Sequence, residues 1–275
     1  MTEGLREPRN TMNIRYLLVF AMAAFGVSVT QAQEWGDLKA KFILDGKPPD
    51  PEKLKIDKDI DLCLKHKLVD EKFRINAETG AIRDVLIFLT PKPGSAKPMV
   101  HPDYLKDPAD VVLDNKNCRF SPHLVTIFTA QKLVITNSDP VGHNTKADFF
   151  ENVSFNDQIP GGGKTVKTLT KTESAPSPLS CGAHPWMSAR ILVREDPYAA
   201  VSNEKGELTI KNLPVGKWTF TIWHEGCGFV VSGQQGGKDK KWAKGKIEVE
   251  IKKGDNDLGE FKIPVAVLDK PKPKK

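Results

Sequence analysis

The chain has 275 residues, of which 39% are hydrophobic and 28% charged, and it carries a net charge of +6. That length holds one large domain or two small ones and can bury a real core. Twenty-one Gly and twenty Pro along it argue against a helical bundle, and four Cys against a cysteine-dense scaffold; no collagen period, heptad run or polytopic membrane pattern is present.

Taken in chain order, the first signal is a leader. Met12, Asn13, Ile14 and Arg15 precede an apolar run from Tyr16 to Val29 and a small-residue exit, Thr30-Gln31-Ala32. This is the order of a secretory signal peptide, and the run is short for a membrane span. Residues 1–32 are therefore expected to be a leader whose true start is Met12, and the rest an exported protein, periplasmic or extracellular, that does not span a membrane. Without the leader's three Arg and two Glu the balance is +5, and four of those charges are lysines within 269–275. Basicity thus sits in a Lys/Pro tail and not on a face suited to nucleic acid, so no nucleic-acid partner is expected.

The remainder reads as strands. Leu38, Ala40, Phe42 and Leu44 alternate with mostly polar neighbours before Asp45-Gly46. Ala81 to Leu89 is a second run, after Thr79-Gly80. Residues 91–110, rich in Pro, Lys and Asp, read as a loop. Leu124–Phe128 and Leu133–Thr136 follow, then Ala189–Val193, Leu208–Ile210 and Trp218–Trp223 around the turn Leu213-Pro214-Val215-Gly216. Residues 233–241, rich in Gly, Gln and Lys, read as another loop, and Ile247, Val249 and Ile251 alternate before Lys253-Gly254-Asp255. Many short strands between turn signals predict an all-β sandwich architecture. Gly161-Gly162-Gly163-Lys164-Thr165 mimics the end of a phosphate-binding loop. Gln158 stands where that pattern needs Gly, and a strand-like run follows where it needs a helix, so a hairpin or loop is expected.

The chemistry concentrates in Cys181-Gly182-Ala183-His184-Pro185-Trp186-Met187, with His143-Asn144 upstream. Two imidazoles, one thiolate and one thioether are the ligand set of a trigonal copper site with a weak axial Met. Soft sulfur suits Cu(I), and imidazole serves both oxidation states. Cys181, His184 and Met187 are each three apart, so one tight loop between strands can turn all three to one point, with His143 coming from a neighbouring loop. Met99 and Met187 are the only methionines after the leader. Zinc fits less well, because a structural zinc site wants four Cys or His ligands. The Cys-x₂-Cys-His of a c-type haem is absent, and nothing completes a Cys181–His184 nucleophile. A β domain that has lost its metal is the remaining alternative. His66, His101, His123 and His224 have no ligand-like spacing and are expected on the surface or in packing. Export permits disulfides. Of the other three thiols, Cys63 and Cys118 are expected to pair, leaving Cys227 as a buried thiol.

These residues carry a resemblance. Residues 109–196 resemble the cupredoxins, most nearly the amicyanin type. Cys118-Arg119-Phe120-Ser121-Pro122, the strand Leu124–Phe128, Asn137-Ser138-Asp139 and His143-Asn144 are similar to the run that leads to that family's first ligand, and Cys-x₂-His-Pro-aromatic-Met is similar to its short ligand loop. The resemblance implies a Greek-key sandwich holding one type 1 copper on His143, Cys181, His184 and Met187. It also implies an electron carrier, not an enzyme, serving a redox partner such as a c-type cytochrome or a dehydrogenase. It implies that the Asn144 backbone N–H donates to the thiolate. Ala183, where such loops commonly carry Pro, has an N–H that is expected to give the sulfur a second hydrogen bond. Pro185 and Trp186 are expected to form an apolar docking patch around the edge of His184, through which electrons leave.

A second, weaker resemblance is to the carboxypeptidase-regulatory-like domain, a small β-sandwich related to carbohydrate-binding-like folds. Residues 203–210, 212–217 and the strand to Trp223 carry it, with 36–46 and 80–89 similar to its opening strands. The expected organisation is 33–108 as a first β segment, 109–196 as the copper domain, inserted into or packed against the second sandwich, 197–268 as the segment completing that sandwich, and 269–275 as the tail. The binding-module alternative is a carbohydrate- or protein-binding scaffold whose copper domain is vestigial or merely holds copper.

Overall fold

The alternation at Leu38, Ala40, Phe42 and Leu44 forms β1 (Trp35–Asp45), with those four side chains buried. The structure is a computed structural model that describes residues 33–269 together with Met1 and Gly4. The rest of the expected leader, and the tail from 270 onward, lie outside the described residues. After β1 come a one-turn helix α1 (Ile60–Cys63) and β2 (Leu86–Leu89). The strand expected from Ala81 starts late because Asp84 takes a left-handed φ of 64°. Ala81 and Ile82 make only isolated bridges, to Ile43 and Ile75. The loop expected at 91–110 contains a single helical turn, α2 (Asp103–Lys106).

Nine strands follow: β3 (Val111–Lys116), β4 (Arg119–Ser121), β5 (Leu124–Phe128), β6 (Lys132–Asn137), β7 (His143–Ala147), β8 (Phe155–Ile159), β9 (Lys164–Thr168), β10 (Ser177–Ser180) and β11 (Ser188–Arg194). Then come β12 (Ala199–Val201), β13 (Glu207–Pro214), β14 (Gly216–His224), β15 (Gly228–Phe229), β16 (Ser232–Gln235), β17 (Lys238–Lys241), β18 (Lys246–Ile251), β19 (Gly254–Pro264) and the last turn α3 (Val265–Leu268). The protein is all-β. The Gly-rich stretch at 161–163 is the turn between β8 and β9 and opens no helix. The stretch 233–241, expected as a loop, is instead the hairpin β16–β17. Gly236 and Gly237, both at positive φ, make the tight turn that its strands need.

Strand pairing sorts these elements into two sandwiches. β5-β11-β10-β7-β8 and β4-β3-β6-β9 form the inner pair of sheets, around a core that includes Leu113, Phe120, Ile135, Leu179 and Ile191. β13-β1-β19-β16-β17 and β12-β2-β14-β15, with β18 also on β14, form the outer pair, around Phe42, Phe220, Ile222 and Phe261. Strands from before residue 90 and after residue 198 thus pair with each other, and the inner strands lie between them in sequence. The described residues 33–269 belong to one compact unit.

A seam joins the sandwiches. Leu86 and Phe88 of β2 and Trp223 of β14 meet Leu124 of β5 and Leu192 of β11, while Ile87 and Leu89 face the outer core. A strand covered on both faces is an unbroken apolar run rather than an alternating one, which accounts for Leu-Ile-Phe-Leu at 86–89. Beside the seam, His123 Nε2 lies 2.5 Å from a Glu225 oxygen, and Arg190 Nε donates to the other oxygen at 3.0 Å. Burial would raise the Glu225 carboxyl, but His123 and Arg190 outweigh it and hold the group at about 2. His123 and His224 are both buried. Cys227 is half-buried, not enclosed as expected.

Candidate metal centre

The loop 181–187 connects β10 to β11, which run antiparallel with Ser180 opposite Ser188. Its neck is closed by the Cys181 N–H to the Met187 carbonyl (3.3 Å), and its tip by the Met187 N–H to the His184 carbonyl (2.9 Å). This tight path puts every third side chain inside. Cys181, His184 and Met187 are buried, Gly182 and Pro185 are exposed, and Ala183 and Trp186 are half-buried. Met187 and Cys181 belong to the same buried cluster.

His143 opens β7, one strand over from β10. The loop before it is stapled by Asn137, whose amide donates to the carbonyls of Val141 (2.8 Å) and Ile159 (2.9 Å). The outcome is a cluster of one ligand atom each from His143, Cys181 and His184, all within 4.8 Å of one another and all buried. The two imidazoles lie 4.4 Å apart between centroids. Among the described residues this is the one such group of three.

The donor set suits a soft or borderline metal. His143 Nδ1 is buried with no hydrogen-bond partner, an arrangement that costs free energy in a protein interior unless something else satisfies it. His184 Nδ1 lies 3.7 Å from Cys181 Sγ. Burial pushes the His143 imidazole below its ordinary value, against the opposing pull of Asp139, and so favours the neutral ring that a metal ligand must be. The Asn144 backbone N–H donates to Cys181 Sγ at 3.4 Å. The second donor expected for that sulfur is absent. The Ala183 N–H turns instead to the Asn144 side-chain oxygen (3.1 Å), because that amide sits over the loop and offers the better acceptor.

Sequence reasoning missed two carboxylates. Asp139 Oδ2 lies 2.9 Å from His143 Nε2, and Asp59 Oδ2 lies 2.7 Å from His184 Nε2. A carboxylate on the outer nitrogen fixes the tautomer and leaves the inner one for the metal. Asp139 also accepts the backbone N–H groups of Asn117 (2.7 Å) and Cys118 (2.8 Å). Those two residues form the two-residue turn from β3 to β4, both at positive φ, 58° and 54°. That geometry matches the twist of a hairpin, yet it disfavours side-chain-bearing residues. Asp139 steadies it from one side. The Cys63–Cys118 disulfide ties it from the other, to α1. Asp139 follows Asn137-Ser138 in a stretch already singled out, so its spacing of four from His143 was a usable signal. Asp59 is 125 residues from His184, and nothing in the sequence links them.

The expected docking patch differs too. Pro185 is exposed and Trp186 half-buried, but they do not frame an exposed imidazole, because His184 is completely buried beneath Asp59. Trp186 packs edge-on against His184, 5.2 Å between centroids, and donates its indole N–H to the Cys118 carbonyl (3.1 Å). Beside it runs a groove of about 240 Å³ lined by Leu54, Leu68, Trp186 and Arg119.

The fold and the cluster together define an all-β protein with a buried sulfur–imidazole site able to hold a metal ion. No protein-family model matches the chain, and no curated protein does. Among solved structures it is similar to cupredoxins. A copper-containing nitrite reductase from Thermus scotoductus SA-01 is 20% identical over 39% of this chain and 27% of its own, with a TM-score of 0.30. A purple cupredoxin from Nitrosopumilus maritimus is 20% identical over 30% of this chain and 99% of its own (TM-score 0.26). Amicyanin from Paracoccus versutus is 20% identical over 39% and 97% (TM-score 0.28). The chain thus spans about a quarter of the nitrite reductase.

Proposed function

We propose that this is an exported type 1 copper protein that carries single electrons and transforms no substrate of its own. The observation that carries the reading is the convergence of His143, Cys181 and His184 on one buried point, with the His143 Nδ1 met by no protein donor. His143, His184 and Met187 would hold the copper together with the Cys181 thiolate. Copper bound there supplies a reversible one-electron couple. The chain's own residues supply the rest. The Asn144 N–H steadies the sulfur, Asp139 orients one ring, and the buried loop excludes water. The copper module comprises 109–196 within the second sandwich. The outer sandwich would be a carboxypeptidase-regulatory-like module. The partner belongs to the c-type cytochrome or dehydrogenase class, met in the periplasm or outside the cell.

One observation favours a second reading, a closed copper holder: the edge of His184 has no exposed surface. Adding Cu(II) to the purified protein and recording its visible spectrum tests both. The carrier reading expects an intense blue thiolate-to-copper band that vanishes in Cys181→Ser and bleaches reversibly with a mild reductant. A protein that binds copper with no such band, or whose band does not cycle, ends it.

A further inference from the structure

The ring expected to face a partner is instead covered by a residue far away in sequence. Asp59 Oδ2 meets His184 Nε2 at 2.7 Å. The imidazole is fully buried while the Asp59 side chain keeps 30% of its surface exposed, so the carboxylate stands between the ring and solvent. Its placement is not that of a casual surface pair. Asp59 adopts a left-handed backbone, φ 46° and ψ 44°, which Asp tolerates better than most side-chain-bearing residues and which turns the chain into α1. Its carbonyl accepts the N–H groups of Leu62 (3.0 Å) and Cys63 (2.9 Å), and so starts α1. Cys63, the last residue of α1, is bonded to Cys118. The N–H of Cys118 is held by Asp139, which holds His143. Both imidazoles are therefore gripped from outside by carboxylates, and the two carboxylates are tied to a single disulfide.

We propose that Asp59 is a positioning residue for the metal centre, fixing His184 with Nδ1 turned toward Cys181 and sealing the ring edge from solvent and from any docking protein. This rests on the copper reading above and deepens it. A negative charge on the outer nitrogen makes the ring a stronger donor and stabilises the more positive metal state over the lesser one. Asp59 thus sets the potential downward, and it forces electrons to leave by a path other than the imidazole edge.

Two measurements test this, one of them without metal. In the copper-free protein, the His184 Nε2–H should give a solvent-protected resonance by NMR, kept in Asp59→Asn and lost to fast exchange in Asp59→Ala. In the copper-loaded protein, Asp59→Asn should lower the Cu(II)-over-Cu(I) affinity ratio about tenfold, raising the potential by about 59 mV. Asp59→Ala should also speed oxidation of the reduced protein by a small anionic oxidant. Asp57→Asn, a neighbouring exposed carboxylate paired with Lys55, should move neither reading. Fast exchange of that proton in the unmutated protein overturns the proposal, as does an Asp57 variant that shifts the potential as far as the Asp59 variant. If copper gives no blue band at all, the carrier reading falls, while the copper-free NMR still decides whether Asp59 holds the ring.

Discussion

Single buried side chains make this protein's stability depend on pH. His224 is wholly enclosed, stacked on Phe73 at 5.9 Å, with its Nδ1 accepting the Gly226 N–H. Burial pushes it from 6.5 down to about 4. The unfolded chain therefore takes up a proton near pH 6.5 that the folded chain refuses until about pH 4, so stability is full above 6.5 and falls as pH drops through that window. The charges near this ring are Glu225, His123 and Lys72. Glu225, held at about 2 against an ordinary 4.5, extends the loss to lower pH. At about 1.4 kcal/mol per pH unit for one proton, the His224 window removes on the order of 3 kcal/mol. Melting temperature followed from pH 7 to pH 4 should fall steadily, and His224→Gln should flatten that slope. An equally steep slope in the variant would show that another group carries the proton. Neither the burial of His224 nor its neighbours could be read from Trp-His-Glu-Gly, because the enclosure is made by Phe73, about 150 residues earlier in the chain.

At the scale of elements, the segment over the metal cluster is held by a few ties. Lys53 bridges to Val69, the Asp70 N–H meets the Glu52 carbonyl at 3.3 Å, and Glu71 pairs with Arg119 at 3.2 Å. α1 is one turn long and could not persist alone. The Cys63–Cys118 bond spans 55 residues, and closing a loop of that length restrains the unfolded chain by about 4 kcal/mol. Replacing both cysteines by serine should lower the denaturation midpoint. It should also let a protease cut within 50–72 before the β sandwiches open. Unchanged cleavage there would mean that the polar ties suffice. The ligand loop was readable from its Cys-x₂-His-x₂-Met spacing, because a chemical set was written within seven residues. β19 was not readable. Gly254, Gly259 and three acidic residues mask its pattern, and it is a strand because β1 lies beside it. The hairpin at 232–241 was hidden likewise, since its strands are polar, β17 fully exposed and β16 half-buried, so no alternation marks them.

For the whole molecule, the seam decides whether the two sandwiches behave as one. Five buried residues, Leu86, Phe88, Trp223, Leu124 and Leu192, make it, with the Arg194 guanidinium 5.5 Å from the Phe88 ring and donating to the Leu89 carbonyl at 2.7 Å. Phe88→Ala should cost about 3–5 kcal/mol and divide a single calorimetric transition into two. One transition at an unaltered temperature would show that the sheets are coupled elsewhere. The pairing of β1 with β19 carries a consequence for synthesis. These strands run parallel over Gly36–Asp45 and Gly254–Pro264, so β1, which has β13 on its other side, gains its neighbour on this side only after residues 254–264 are made. The inner sandwich, whose strands all lie within 111–194, can take shape while its surroundings are still arriving. A ribosome or translocation channel that releases the chain from its N-terminal side would thus hand over a half-dressed intermediate, with one edge of β1 unpaired until residues 254–264 emerge.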